Sequence, residues 1–175
     1  MRIEVENLTD KGEPFSQVYE PGQVELGEEV ARVAGQTAVE GRASRKGEEV
    51  RVRGRIKTEV ELACDRCLAP RATPLEVEFD TSFIPQAAAS AETDNVELLP
   101  EHLVLATYEG DAVDLDELVR EQIVLALPSR NLCREDCKGL CPRCGADLNA
   151  ETCSCETKEV DPRWSALADW KNEKQ

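Results

Sequence analysis

Eight cysteines in a chain of 175 residues are the side chains best able to do chemistry here. Two form a Cys64-Asp-Arg-Cys67 pair. The other six, Cys133, Cys137, Cys141, Cys144, Cys153 and Cys155, fall within 23 residues. The opening stretch MRIEVENLTD is charged and lacks the apolar run of a secretory signal, so the expectation is a cytoplasmic protein. Thiols kept reduced there point to metal ligation or redox chemistry rather than disulfides.

Cys141-Pro-Arg-Cys144-Gly145 has the form of a zinc knuckle. Two thiolates three positions apart can hold one tetrahedral ion while backbone amides point at their sulfurs, and the glycine permits the tight backbone. A further ligand pair comes from Cys133/Cys137 upstream or Cys153/Cys155 downstream, and spacing alone does not choose which four of the six bind. The expected group is a structural Zn²⁺, with an iron–sulfur cluster or metal-free reactive thiols as alternatives. A segment with so little apolar content would draw its folding free energy from the metal, on the order of 10 kcal/mol. A Cys₄ site is closed to substrate and water, which points to structure or recognition rather than hydrolysis. Cys64 and Cys67 could be a redox pair, a plain hairpin tip, or half of a second Cys₄ site completed by two of the distant six.

Other chemistry is thin. The one histidine, His102, offers no base for a Ser–His–acid or Cys–His set, and there is no Walker or G-x-G-x-x-G loop. No carboxylate dyad stands out, so no enzymatic activity is expected. Arg51, Arg53, Arg55 and Lys57 share one parity of a strand and would repeat every ~6.6–6.8 Å, near the spacing of nucleic-acid phosphates. One reading is an RNA-backbone contact helped by Arg42, Arg45 and Lys46. The other is cross-strand pairing with Glu76, Glu78 and Asp80, which would consume the stripe. Three Phe, two Tyr and two Trp leave little for base stacking.

These side chains need elements to hold them. Val50 to Leu62 alternates apolar and charged residues, as does Leu75 to Phe83, so both read as half-buried strands. Consecutive alternating strands pair as an antiparallel hairpin, which puts the CDRCLAP connection at its tip. Residues 2–8 and 30–40 read as weaker strands, followed by a turn-rich GRASRKGEE. Residues 85–95 read as a mobile loop. Asp114 can cap a helix with Glu117 as its capping-box partner; Leu115, Leu118, Val119, Ile123 and Ala126 then recur at helical spacing until Pro128. Asp161 and Pro162 can open a second helix facing Trp164, Leu167 and Ala168. No internal repeat of useful length is visible. The expected fold class is α+β. A mainly antiparallel sheet domain with a covering amphipathic helix spans residues 1–128, and a Cys-rich zinc module with a C-terminal helix spans 129–175.

The net charge of −15 excludes a protein that coats nucleic acid through bulk positive charge. The acidity is local: residues 76–121 hold 13 acidic groups and one basic one, while the flanks are close to neutral. Such a segment could steer a very basic protein by long-range attraction, or merely keep the chain soluble. Four thiolates around one zinc would add a charge of about −2 to the module, beside Arg134, Lys138 and Arg143. No apolar run approaches the ~18–20 residues that span a membrane.

The order CDRCLAP, YEGDAVDLDELVREQIVLALP, CREDCKGLCPRCGADLN…CSC and DPRWSALADW resembles the YceD family of bacteria and plastids, from about residue 25 onward. The resemblance implies a non-enzymatic role in large-subunit ribosomal RNA processing or accumulation, hence ribosome assembly. The implied partner is ribosomal RNA or a basic large-subunit ribosomal protein. The competing functions are a thiol redox protein using CDRC and a zinc-ribbon adaptor in transcription.

Overall fold

The computed structural model describes residues 1–27, 31–90, 105–155 and 163. In chain order the elements are β1 (Arg2–Glu4), a 3₁₀ turn (Val5–Asn7), β2 (Glu13–Tyr19), β3 (Ala31–Val33), β4 (Thr37–Lys46), β5 (Glu49–Ala63), β6 (Pro70–Pro85), α1 (Gln86–Ser90), β7 (Leu105–Tyr108), β8 (Ala112–Asp114) and α2 (Leu115–Leu125). The result is an α+β fold dominated by sheet.

β5 and β6 form the central hairpin, from Val50 opposite Phe83 to Ala63 opposite Pro70. The main sheet runs β2-β4-β5-β6-β7, and β3 pairs with β5 beyond the end of β4. All its pairings are antiparallel except β6–β7. β1 and β8 form a separate two-stranded ribbon.

The alternation along β5 is realised as burial. Val50, Val52, Ile56 and Val60 are fully buried, with Thr58 and Leu62 nearly so. Thr58 lies among apolar neighbours yet is satisfied, because its hydroxyl and that of Thr37 bond at 2.8 Å. Gly54 interrupts the apolar row for a steric reason. It lies opposite Gly41 on β4 and Phe79 on β6, and a Cβ at Gly54 would sit 2.5 Å from the Glu40 carbonyl oxygen and 2.8 Å from the Phe79 ring. Phe15 covers Gly41 in the same way, at 2.7 Å from a Cβ placed there.

The Asp114 carboxylate caps α2, accepting from the Asp116 N–H at 2.9 Å and the Glu117 N–H at 3.4 Å. Leu115, Leu118, Val119 and Ile123 of this helix join the core that includes Val50, Val52, Ile56 and Phe83. Tyr19 at the end of β2 donates to the Asp116 carboxylate at 2.6 Å.

Several boundaries differ from the sequence reading. The strand expected over residues 2–8 stops at Glu4 and turns into a 3₁₀ segment. The segment expected over residues 30–40 is two strands. Between them the Ala34 and Gly35 N–H groups both donate to the Glu59 carbonyl, which breaks the ladder. GRASRK is not a turn but the second half of β4. Gly41 looks turn-like because the sheet is crowded there, and the turn itself is left to Gly47, at φ 66°. β2 gave no alternation clear enough to announce it. Residues 86–90 of the expected mobile loop are helical, in line with the helix propensity of three consecutive alanines. Residues 91–95 and the helix expected after Asp161 lie outside the described residues.

The chain divides into two compact units. One holds residues 1–63 and 70–131; the other holds residues 64–69 and the chain from Leu132 onward. The second unit therefore draws six residues from the connection between β5 and β6.

Candidate metal centres

The second unit contains all eight cysteines, each a free thiol. They gather into two groups of four: Cys64, Cys67, Cys133 and Cys137, and Cys141, Cys144, Cys153 and Cys155. Within each group the sulfurs all lie within 4.8 Å of one another. Cys64 and Cys137 are 3.9 Å apart at sulfur, and Cys67 and Cys133 are 3.7 Å apart. A tetrahedron with metal–sulfur bonds of ~2.3 Å has an edge of ~3.8 Å, so the first cluster has the dimensions of a four-thiolate site for a single ion. Either group could hold a metal.

Each cluster begins with the same six-residue device. Cys64-Asp-Arg-Cys67-Leu-Ala and Cys141-Pro-Arg-Cys144-Gly-Ala share their first, third, fourth and sixth residues. The Leu68 N–H donates to the Cys64 carbonyl at 2.9 Å, and the Gly145 N–H donates to the Cys141 carbonyl at 2.9 Å. The Cys64 N–H donates to Ala69 at 2.9 Å, and the Cys141 N–H donates to Ala146 at 2.8 Å. Both turns pass through the left-handed region at their fifth residue, Leu68 at φ 59° and Gly145 at φ 75°. The two knuckles are thus a short structural repeat.

The turn aims backbone amides at the first sulfur of each knuckle. Amides of Cys67, Arg66 and Cys133 hold the Cys64 thiol down at about 6, and amides of Cys144 and Arg143 do the same for Cys141, also about 6. Their neighbours are pushed the other way. Cys133 is raised to about 12, first by its hydrogen bond with Cys137, and Cys155 is raised to about 12, first by Cys144. Four thiols this close cannot all ionise alone, and a divalent cation is the group that would let them.

The partners of each knuckle come from different places. For the first, Asn131 donates to the Ala63 carbonyl at 2.9 Å, and the Cys133 N–H points at Cys64 Sγ at 3.4 Å. Arg66 closes the loop by donating to the Cys137 carbonyl at 2.6 Å. The second knuckle takes its partners from the downstream pair, Cys153 and Cys155. Sequence reasoning overlooked Asn149, whose Nδ2 donates to Cys137 Sγ at 3.5 Å. The available signal was an amide residue standing between the two ligand pairs of one loop.

Three of the four cations of the basic stripe are engaged on their own sheet. Arg51 makes two bonds to Asp80, at 2.7 and 2.6 Å. Arg55 meets Glu78 at 2.6 Å and Glu76 at 3.2 Å, and Lys57 meets Glu76 at 3.5 Å. Arg53 stands opposite Asp80 in the register. His102 lies outside the described residues.

A family profile described as "Large ribosomal RNA subunit accumulation protein YceD" matches residues 52–171, a stretch that includes all eight cysteines. This chain belongs to the YceD family. A Bacillus subtilis relative, YlbN, is 32% identical over 130 residues, which is 74% of this chain and 70% of that protein. An uncharacterized Mycobacterium tuberculosis protein is 30% identical over 123 residues, 70% of this chain and 56% of that protein. The match thus spans little more than half of the mycobacterial relative. An Arabidopsis thaliana protein named "Large ribosomal RNA subunit accumulation protein YCED homolog 1, chloroplastic" is 30% identical over 67 residues, 38% of this chain and 21% of its own length. No solved structure matches the chain. Among the described residues of this YceD-family chain, no helix is long and apolar enough to cross a membrane.

Proposed function

We propose that this chain is a non-enzymatic, cytoplasmic ribosome-assembly factor that supports accumulation of large-subunit ribosomal RNA, with two structural Zn²⁺ ions in its four-thiolate clusters. Family membership over residues 52–171 carries this reading. A four-thiolate shell supports a structural role for the metal, because a tetrahedral ion with four protein ligands keeps no position for substrate. Zinc would supply folding free energy there. The chain's own residues supply the shape: the amides of the two knuckles orient the sulfurs, and Arg66 and Asn149 tie the intervening loop. The redox reading of CDRC is weakened because Cys64 and Cys67 share their cluster with Cys133 and Cys137.

The partner favoured by the surface is a basic large-subunit ribosomal protein. Among the described residues, a concavity in the first unit is lined by Glu4, Glu109, Asp111, Asp114, Glu117 and Glu121 against one cation, Arg2. Three of the cations that would suit RNA, Arg51, Arg55 and Lys57, are engaged by carboxylates on β6.

The test is a strain lacking the gene. Large-subunit ribosomal RNA should fall relative to small-subunit RNA, and the wild-type gene should restore it. Paired Cys64→Ser and Cys67→Ser changes should fail to restore it and should lose metal from the purified protein. Capture of a basic ribosomal protein that is released by salt supports the partner. Crosslinking to precursor RNA that survives Glu117→Gln and Glu121→Gln would overturn it. A normal subunit RNA ratio in the deletion strain would overturn the assembly role.

A further inference from the structure

Asn149 ties the loop of the second thiolate cluster to the ligand segment of the first. The loop between Cys144 and Cys153 closes the second cluster and carries this residue. Its Nδ2 donates to Cys137 Sγ of the first cluster at 3.5 Å and to the Asp147 carboxylate at 2.7 Å. Its Oδ1 accepts from the Lys138 N–H at 2.8 Å and from the Arg134 guanidinium at 2.9 Å. The amide can be placed only one way round, since the backbone N–H and the guanidinium are both obligate donors. Arg134 lies between Cys133 and Cys137, and Lys138 follows directly, so one side chain spans the whole ligand segment of the first cluster.

A second thread runs through the backbone. The Leu140 N–H, next to Cys141, donates to the Arg66 carbonyl at 3.0 Å, and the Leu148 N–H donates to Gly139 at 2.9 Å. Gly139 passes so close that a Cβ there would lie 2.9 Å from the Arg66 carbonyl oxygen. The first knuckle, the link between the clusters and the Asn149 loop therefore pack as one piece.

Resting on the reading of both clusters as metal sites, the geometry points to Asn149 as a positioning residue that couples them. An ion in the second cluster fixes the 144–153 loop. That loop presents the Asn149 amide to Cys137, and the first cluster binds its ion more tightly. The physical cause is ordering. A loop with little apolar content spends conformational entropy to hold Asn149 in place, and an ion that has already ordered it removes that cost from the next binding step. An N–H aimed at a thiolate also relieves its charge, an outer-shell contact whose loss typically weakens metal binding by ~10–100-fold. The coupling is reciprocal.

The experiment uses the full chain, stripped with chelator and titrated with Co²⁺, read through its thiolate-to-cobalt absorption and by Zn²⁺ competition. Wild type should take two equivalents, both in four-thiolate surroundings, with positive cooperativity. Removing the second site by Cys153→Ser with Cys155→Ser should lower first-site affinity ~10-fold or more. Asn149→Ala should keep two equivalents yet lower first-site affinity by a similar factor, and combining it with the double serine change should cost little more. Asn149→Asp retains an acceptor for Lys138 and Arg134 but no donor for Cys137. It should shift the charge-transfer band of the first site, a change that loop folding alone would not produce. Unchanged first-site affinity and spectrum in Asn149→Ala, with two equivalents still bound, would overturn the coupling and leave the metal reading standing. Failure of wild type to bind two equivalents would overturn the metal reading itself. Should the double serine protein not fold, Asn149→Ala decides alone.

Discussion

Leu68 and Gly145 occupy the same position in two knuckles, both in the left-handed region, at φ 59° and φ 75°. Glycine adopts that backbone freely, whereas an L side chain there costs roughly 1–2 kcal/mol. Leu68 is 62% exposed, so its side chain recovers little through burial. Leu68→Gly should therefore leave resistance to chelator and denaturant unchanged or raise it by up to ~1 kcal/mol, while Gly145→Leu should lower it by about 1–2 kcal/mol. If Leu68→Gly proves the more damaging change, the steric account of the paired turns is wrong.

The clusters should also respond to pH in a fixed direction. Cys133 and Cys155 sit near 12 without metal, so at neutral pH they carry protons that a bound cation must displace. Metal affinity should rise with pH through the neutral range, and acid should strip the ion. Proton release on binding, measured by calorimetry in buffers of different ionisation enthalpy, checks the sign. Binding without proton release at neutral pH would contradict it.

At the centre of the sheet, Gly54→Ala forces a methyl group toward the Glu40 carbonyl oxygen and the Phe79 ring. Backbone cannot swing aside as a side chain can, so a loss of ~1–3 kcal/mol is expected in urea unfolding of the first unit. An unchanged midpoint would mean that the strands separate there without cost.

The ion pair between Arg51 and Asp80 gives a smaller effect with a different pH signature. The hydrogen bond from Arg51 holds the Asp80 carboxyl below its ordinary range, against a modest opposing effect of burial. A depressed carboxyl contributes stability above its unfolded value, near ~3.9, and loses it as pH falls through the folded value. Asp80 is 45% exposed, so solvent screens the pair. Asp80→Asn should cost less than ~1 kcal/mol at neutral pH, and nothing once acid has protonated the wild-type carboxyl. Urea midpoints at the two pH values test this, and a difference that grows in acid would refute it.

The sequence by itself determined whatever depends on neighbours within a few residues. The period-two run from Val50 to Leu62 specifies β5, because each side chain's face follows from the pleat. Asp114 and the spacing of Leu115, Leu118 and Ile123 specify α2, because cap and periodicity lie within one helix length. Cys141-Pro-Arg-Cys144-Gly145 specifies a knuckle, because the turn is closed by its own amides. β2 shows no clear alternation, and the second half of β4 was less legible because Gly41 makes room for Phe15 and the strand beside it.

Tertiary structure decided how the eight thiols divide. Cys64 meets Cys137 at a sequence separation of 73, and Cys67 meets Cys133 at a separation of 66. Closing a loop that long costs only slightly more than closing a shorter one, so spacing carries almost no information about which distant pair completes a site. The pairing follows from where the hairpin turns and where Asn131 anchors the returning chain to Ala63. The same holds for Asn149: its amide meets a thiol of the first cluster only because the fold brings Cys137 within its reach.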